Sequence, residues 1–259
     1  MSSRPWDRAS ALPVPIDGRR RPELVSLPAG LPSVPDLFTF MRDAEARFET
    51  LRMRVEEVVL ATQGEQRAII ETFIRHPADA KVITSEPARG VARNYEVWIS
   101  DGESVRTYSA PHRVGTSRPL RRPPVGLDDP DLPGVAAVYR PLTALPSETL
   151  PDVFVHPAGF CQNTLATGEC RVAGAEIVAG REAIVLECDH PRAVQVSADR
   201  PDHRLTIAVD RETGVIVRLV EQIGGVATRD AEVVSLEPNA TLPPSTFEFE
   251  FPSGTTMIF

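Results

Sequence analysis

Five residues between positions 156 and 190 carry side chains that can bind zinc: His156, Cys161, Cys170, Cys188 and His190, spaced H-x4-C-x8-C-x17-C-x-H. Thiolate and imidazole are the ligand types of tetrahedral zinc, structural or hydrolytic. The spacing argues against such a site. Zinc knuckles pair their ligands as C-x2-C, and no such pair occurs here. Cys188 also alternates with Ile184 and Leu186, which makes it a small buried hydrophobe on a strand. No metal is expected. Cys161 and Cys170 fall in a loop-like stretch, where they either pair as a disulfide in an oxidising compartment or stay as two thiols.

The remaining candidates for catalysis are weaker. Glu56-Glu57 and Asp128-Asp129 are chain neighbours, and adjacent residues on a strand face opposite sides. Asp189-His190-Pro191 and Asp202-His203 suit turns better than acid–base pairs. Neither a glycine-rich phosphate loop nor a G-x-S-x-G elbow is present. The expectation is a protein without catalytic residues and without a cofactor.

The alternative to chemistry is an apolar surface, and its carriers are strands. "RLTIAVDRETGVIVRLVEQIGG", residues 204–225, puts Leu205, Ile207 and Val209 on one side of a first strand and Val215, Val217 and Leu219 on one side of a second. Asp210 opens the turn between them and Gly214 closes it. A hairpin with one apolar face must set that face against something, either the chain's own core or a guest.

Upstream, "SVPDLFTFMRDAEARFETL" predicts an amphipathic helix N-capped by Asp36, with Leu37, Phe40, Met41, Ala44, Phe48 and Leu51 on one face. The period then changes to two. Met53 and Val55 lead a strand through Leu60, and Ala68, Ile70, Thr72 and Ile74 mark the next. Shorter strands follow at 81–85, 94–100 and 104–109, the last two joined by Asp101-Gly102. Residues 110–160 form a proline-dense excursion with one short helix expected at 135–139. Strands resume at Cys170, and the chain closes on Phe247, Phe249 and Phe251 along one face.

These elements imply a mostly β (α+β) fold: a strongly curved antiparallel sheet, an unclosed half-barrel, with the N-terminal helix and lid segments on its concave side. Residues 1–35, with their repeated prolines, read as an extended arm, and 36–259 as one domain. A single helix has too little apolar area to cover so wide a sheet. Ile70, Ile74, Tyr95, Val97, Trp98, Leu205, Ile207, Val217 and Leu219 are therefore the candidate walls of an apolar cavity.

The chain has 259 residues, 25 of them proline, with a net charge of −8. That charge excludes general affinity for nucleic acid or anionic membranes. No apolar run approaches the ~20 residues of a membrane span. The first residues do not form a signal peptide, so the chain as written is expected in the cytoplasm, or outside it if a leader has been removed.

Five motifs in order, "FTFMRDAEARFETL", "FIRHPADAKVITSEP", "VWISDGESVRTYSAP", "AVDRETGVIVRLVE" and "STFEFEFPSG", resemble the LolA-like superfamily of outer-membrane lipoprotein carriers and their relatives. The resemblance spans nearly all of 36–257. It implies a half-barrel whose helical lid closes over a cavity for lipid chains, and a lipid or lipoprotein as partner. It is similar as well to the RseB-like regulators, which implies the alternative of a sensor that binds a protein. In such carriers an arginine before the proline latches the lid. Here Arg75-His76-Pro77 stands at that place, so the latch falls to His76 or to Arg75. A His76 latch would depend on pH near neutrality.

Overall fold

The computed structural model describes residues 24–87, 94–120, 141–191 and 200–258. Twelve strands form one sheet. They are β1 (Thr50–Ala61), β2 (Gly64–Arg75), β3 (Asp79–Ser85), β4 (Tyr95–Ser100), β5 (Ser104–Ser109) and β6 (Val114–Pro119). Then come β7 (Glu169–Val178), β8 (Arg181–Asp189), β9 (His203–Asp210), β10 (Ile216–Ile223), β11 (Val226–Pro238) and β12 (Thr256–Ile258). Their order across the sheet is β12-β6-β5-β4-β3-β2-β1-β11-β10-β9-β8-β7. Every neighbouring pair is antiparallel except β12 with β6. The sheet curves without closing, and β12 and β7 are its two edges. This is the half-barrel expected from the motifs.

Among the described residues three α-helices lie with this sheet: α1 (Val34–Arg42), α2 (Leu150–Val155) and α3 (Pro157–Asn163). The first helix starts earlier and ends sooner than its periodicity suggests. Its N-cap is Ser33, not Asp36, and the two side chains are hydrogen-bonded to each other. Ser33 Oγ accepts from the Asp36 amide at 3.3 Å and donates to the Asp36 carboxylate at 2.6 Å. After Arg42 a 3-10 turn over Ala44–Arg47 carries the chain into β1, so Leu51 belongs to the sheet. The helical face and the strand face are then buried together, which is why one apolar period ran into the other.

The proline-dense stretch holds more structure than expected. It contains β6, α2 and most of α3, each helix with proline in its first turn, where a missing N–H costs nothing. The helix expected at 135–139 lies outside the described residues. The closing aromatic stretch is not a sheet strand. After a 3-10 turn at Pro244–Phe247 it crosses β3–β6 on the face away from the helices. There Lys81 Nζ donates to the Thr246 carbonyl at 2.9 Å and Arg106 donates to that of Phe249 at 2.8 Å. Phe249 and Phe251 pack on Tyr108, and Phe251 fills the space over Gly115 where a side chain would stand.

The hairpin of residues 204–225 forms as β9 and β10, and its turn is built by one buried carboxylate. Asp210 accepts from the Thr213 amide at 2.8 Å and its hydroxyl at 2.6 Å, while Arg181 seals the other side at 2.7 Å. Gly214 has φ +77°, and an added Cβ would meet Phe40 of α1 at 3.2 Å. The turn thus seats the helix as well as reversing the chain.

Candidate functional site: a cleft under residues 146–151

The helix-bearing face divides into two halves. On β8, β9 and β10, Leu186, Leu205, Ile207, Val217 and Leu219 are all buried, and they form one core with Leu37, Met41, Phe154 and Leu165 of the helical segments. The question posed by the hairpin has its answer there. Its apolar face meets the chain's own core.

The other half is less filled. A cleft of about 550 Å³ lies between the sheet and residues 146–151, bordered by Ile70, Val82, Thr84, Val97, Trp98, Thr107, Pro146, Leu150 and Pro151. Cross-strand register explains the opening. Val82 pairs with Trp98 and Trp98 with Thr107, while Thr84 pairs with Glu96 and Glu96 with Ser109. These positions share one face, and several are too short or too polar to build a core. Glu57 and Arg229 form an ion pair of 2.7 Å at the cleft wall.

Of the nine residues expected as cavity walls, Ile70 and Trp98 border the cleft with their side chains, whereas Val97 adjoins it from a strand position whose side chain lies in register with Tyr108 on the opposite face. Ile74, Leu205, Ile207, Val217 and Leu219 lie in the packed core, to which Ile70 also belongs and against which Trp98 packs. Tyr95 instead joins the aromatic chain on the far face, 5.9 Å from Tyr108. Val97 and Trp98 are neighbours on a strand and their side chains alternate: Trp98 is in register with Val82, Val97 with Ile83 and Tyr108. Of the cleft residues not foreseen from the sequence, Val82, Thr84 and Thr107 follow from Trp98 once strand register is known, whereas Leu150 is brought there by α2. Only the residue types on one face, mixed rather than apolar, signalled them.

A polar cluster ties residues 142–156 to Glu45 and His76. His76 Nδ1 is 2.8 Å from Thr143 Oγ1, and its ring stacks on Phe48 at 5.2 Å. Arg75 points elsewhere, pairing with Asp79 at 2.7 Å above the Phe247 ring. Of the two latch candidates, His76 is the one that contacts this stretch, through Thr143. Burial pushes its pKa down to about 4, against the opposing pull of Glu45, so it is neutral near pH 7. The expectation of titration near neutrality is corrected accordingly.

Glu45 and His156 complete the cluster. Glu45 accepts from the Leu142 amide at 2.9 Å, and its Oε2 is 3.3 Å from His156 Nε2. On its other side, His156 Nδ1 is 2.9 Å from Asp152. Burial disfavours the imidazolium, but Glu45 and Asp152 outweigh it and raise the pKa to about 9. His156 is thus a structural cation between two carboxylates. Among the described residues no group of His, Cys, Asp and Glu is arranged to hold a metal. Nor is any helix among them long and apolar enough to cross a membrane.

Comparison with solved structures finds several distantly similar chains. MucB is 13% identical, with a TM-score of 0.48 over 83% of this chain and 62% of that one. The Mycobacterium tuberculosis lipoprotein LppX is 11% identical, with a TM-score of 0.40 over 82% of this chain and 99% of that one. A LolA superfamily protein from Nitrosomonas europaea is 12% identical, with a TM-score of 0.33 over 84% and 98%. This chain therefore spans less than two thirds of MucB. No protein-family model matches the sequence, and neither does any curated protein. The unclosed antiparallel sheet with helices on one face is the half-barrel architecture that the five motifs led one to expect.

Proposed function

We propose that the chain is a non-catalytic binding protein that holds the hydrophobic tail of a lipid or other acyl-bearing molecule in the cleft beneath residues 146–151. The observation that carries this reading is the cleft itself, about 550 Å³ between Trp98, Val82 and Leu150. That volume lies within the roughly 300–1,000 Å³ of small-molecule sites. Burying a chain of about fourteen carbons would yield on the order of 10 kcal/mol before the costs of ordering and association. The Glu57–Arg229 pair offers a polar end at which a headgroup can be placed. His76, hydrogen-bonded to Thr143, acts as the latch of the lid segment.

The test is titration with dansyl-labelled undecanoic acid, comparing the native chain with Thr84→Phe, which fills the cleft without cutting the core. Saturable binding by the native chain, weakened at least about tenfold (~1.4 kcal/mol) in the variant, is the expected result. Equal binding by both would place any ligand elsewhere.

A second reading, a module that docks a protein, draws on the edge strand β7. Its outer side pairs with no other described strand, and Ile177 on it is 70% exposed. Such an edge can accept a partner strand. Loss of partner capture on Ile177→Lys, with probe binding intact, would separate this reading from the first.

A further inference from the structure

Two of the three thiols face each other across the edge of the sheet. Cys170 on β7 is directly opposite Cys188 on β8. Directly opposed residues of an antiparallel pair have Cα atoms about 4.5–5.5 Å apart, within the roughly 4.4–6.8 Å that a disulfide spans. Their sulfurs converge. Cys170 donates to the Leu165 carbonyl at 3.1 Å and Cys188 donates to the same oxygen at 3.3 Å. Cys161 stands apart in the helical layer, with its thiol turned toward Met41 Sδ at 3.8 Å.

The two thiols are unequal in access and in acidity. Cys188 is buried, whereas Cys170 is partly exposed on the edge strand. The neighbouring Cys188 thiol lowers the Cys170 pKa, while the nearby Cys170 and burial raise that of Cys188. Burial alone pushes Cys161 up to about 12. The accessible thiol is therefore the one that ionises more readily, and its neighbour is placed to follow.

We propose that Cys170 and Cys188 form a redox-active dithiol that closes to a cross-strand disulfide by exchange with a small disulfide of the glutathione type. The Cys170 thiolate attacks one sulfur of that disulfide, forming a mixed disulfide and releasing one thiolate. Cys188 then loses its proton to solvent and attacks the Cys170 sulfur, releasing the second thiolate. The two protein thiols are oxidised by two electrons, and the small disulfide is reduced to two thiols.

Closure also reaches the helical layer. The Leu165 carbonyl is buried in the turn after α3, and it accepts from the Gly168 amide at 3.1 Å as well as from both thiols. Oxidation removes both S–H donors and leaves the amide alone. The turn that ties α3 to β7 and β8 is thereby loosened. None of this depends on a ligand in the cleft.

The test equilibrates the full reduced chain with graded mixtures of reduced and oxidised glutathione, quenches with acid, alkylates, and maps peptides by mass. The expected product joins Cys170 to Cys188, forms equally in Cys161→Ser, and stops at a glutathione adduct on Cys170 in Cys188→Ser. Amides of 165–168 should exchange about tenfold faster after oxidation. Thiols that stay reduced in mixtures that oxidise the urea-unfolded chain would overturn the proposal, as would a cross-link through Cys161. Unchanged exchange would overturn the coupling to the turn. Mapping of the native chain decides the pairing even if a serine variant does not fold.

Discussion

Two stretches of one sheet, β8–β10 and β2–β5, carry similar alternation and end in different states. Under the first, Leu186, Leu205, Ile207 and Leu219 meet side chains from the helical segments, and the space is closed. Under the second, Val82 and Trp98 share their face with Thr84, Glu96, Thr107 and Ser109, and a cleft remains beneath Pro146, Leu150 and Pro151. The contrast teaches that a strongly apolar strand face marks a core. An inner face on which large apolar and short polar residues alternate marks a cavity, because it cannot close upon itself.

The sharpest way to break this contrast is to cut a methyl-rich side chain from each half. Ile207→Ala should cost about 2–5 kcal/mol, because a fully enclosed site cannot collapse. Val82→Ala, at the edge of an existing cleft, should cost clearly less, about 1 kcal/mol. Denaturant titration of both variants checks it, and equal costs would dissolve the distinction.

The polar cluster gives the next effect. His156 has its pKa raised to about 9 from an unfolded value near 6.5, so its contribution is full below pH 6.5 and is lost as pH rises through 9. Over that window the native chain should lose on the order of 3 kcal/mol that His156→Gln does not lose. His76 acts in the opposite sense. Its pKa is lowered to about 4, so stability falls as pH drops from 6.5 toward 4, and His76→Gln should remove that slope. Denaturation midpoints measured across pH separate the two.

The smallest effect is expected at Trp98. Trp98→Ala removes one wall of the cleft and should weaken acyl-probe binding a few-fold, about 1 kcal/mol, with little change in stability. A stability loss comparable to that of Ile207→Ala would show that Trp98 belongs to the core.

Much of the fold was legible in the sequence because period-two alternation and turn residues are local. Asp101-Gly102 and Asp210 through Gly214 each place a hairpin, and the structure shows why. Asp101 accepts from the amides of Glu103 and Ser104, and Gly102 at φ +82° packs on Ala78. The site was less legible. Leu205 and Ile207 read equally well as ligand wall or core, since only the helical segments decide which. Those segments, α2 and α3, were hidden among prolines that also serve as helix starters. The Glu45–His156 and His76–Thr143 contacts join residues far apart in the chain and leave no local pattern.

The claim that the cleft, not the packed half, receives the ligand is tested most directly by photolabelling. A fatty acid carrying a diazirine near its tail is bound to the full chain, illuminated, and located by peptide mass. Labels on β3–β5 and residues 146–151 are the expected result. Labels concentrated on β9 and β10, or labelling no greater than that of the unfolded chain, would contradict it.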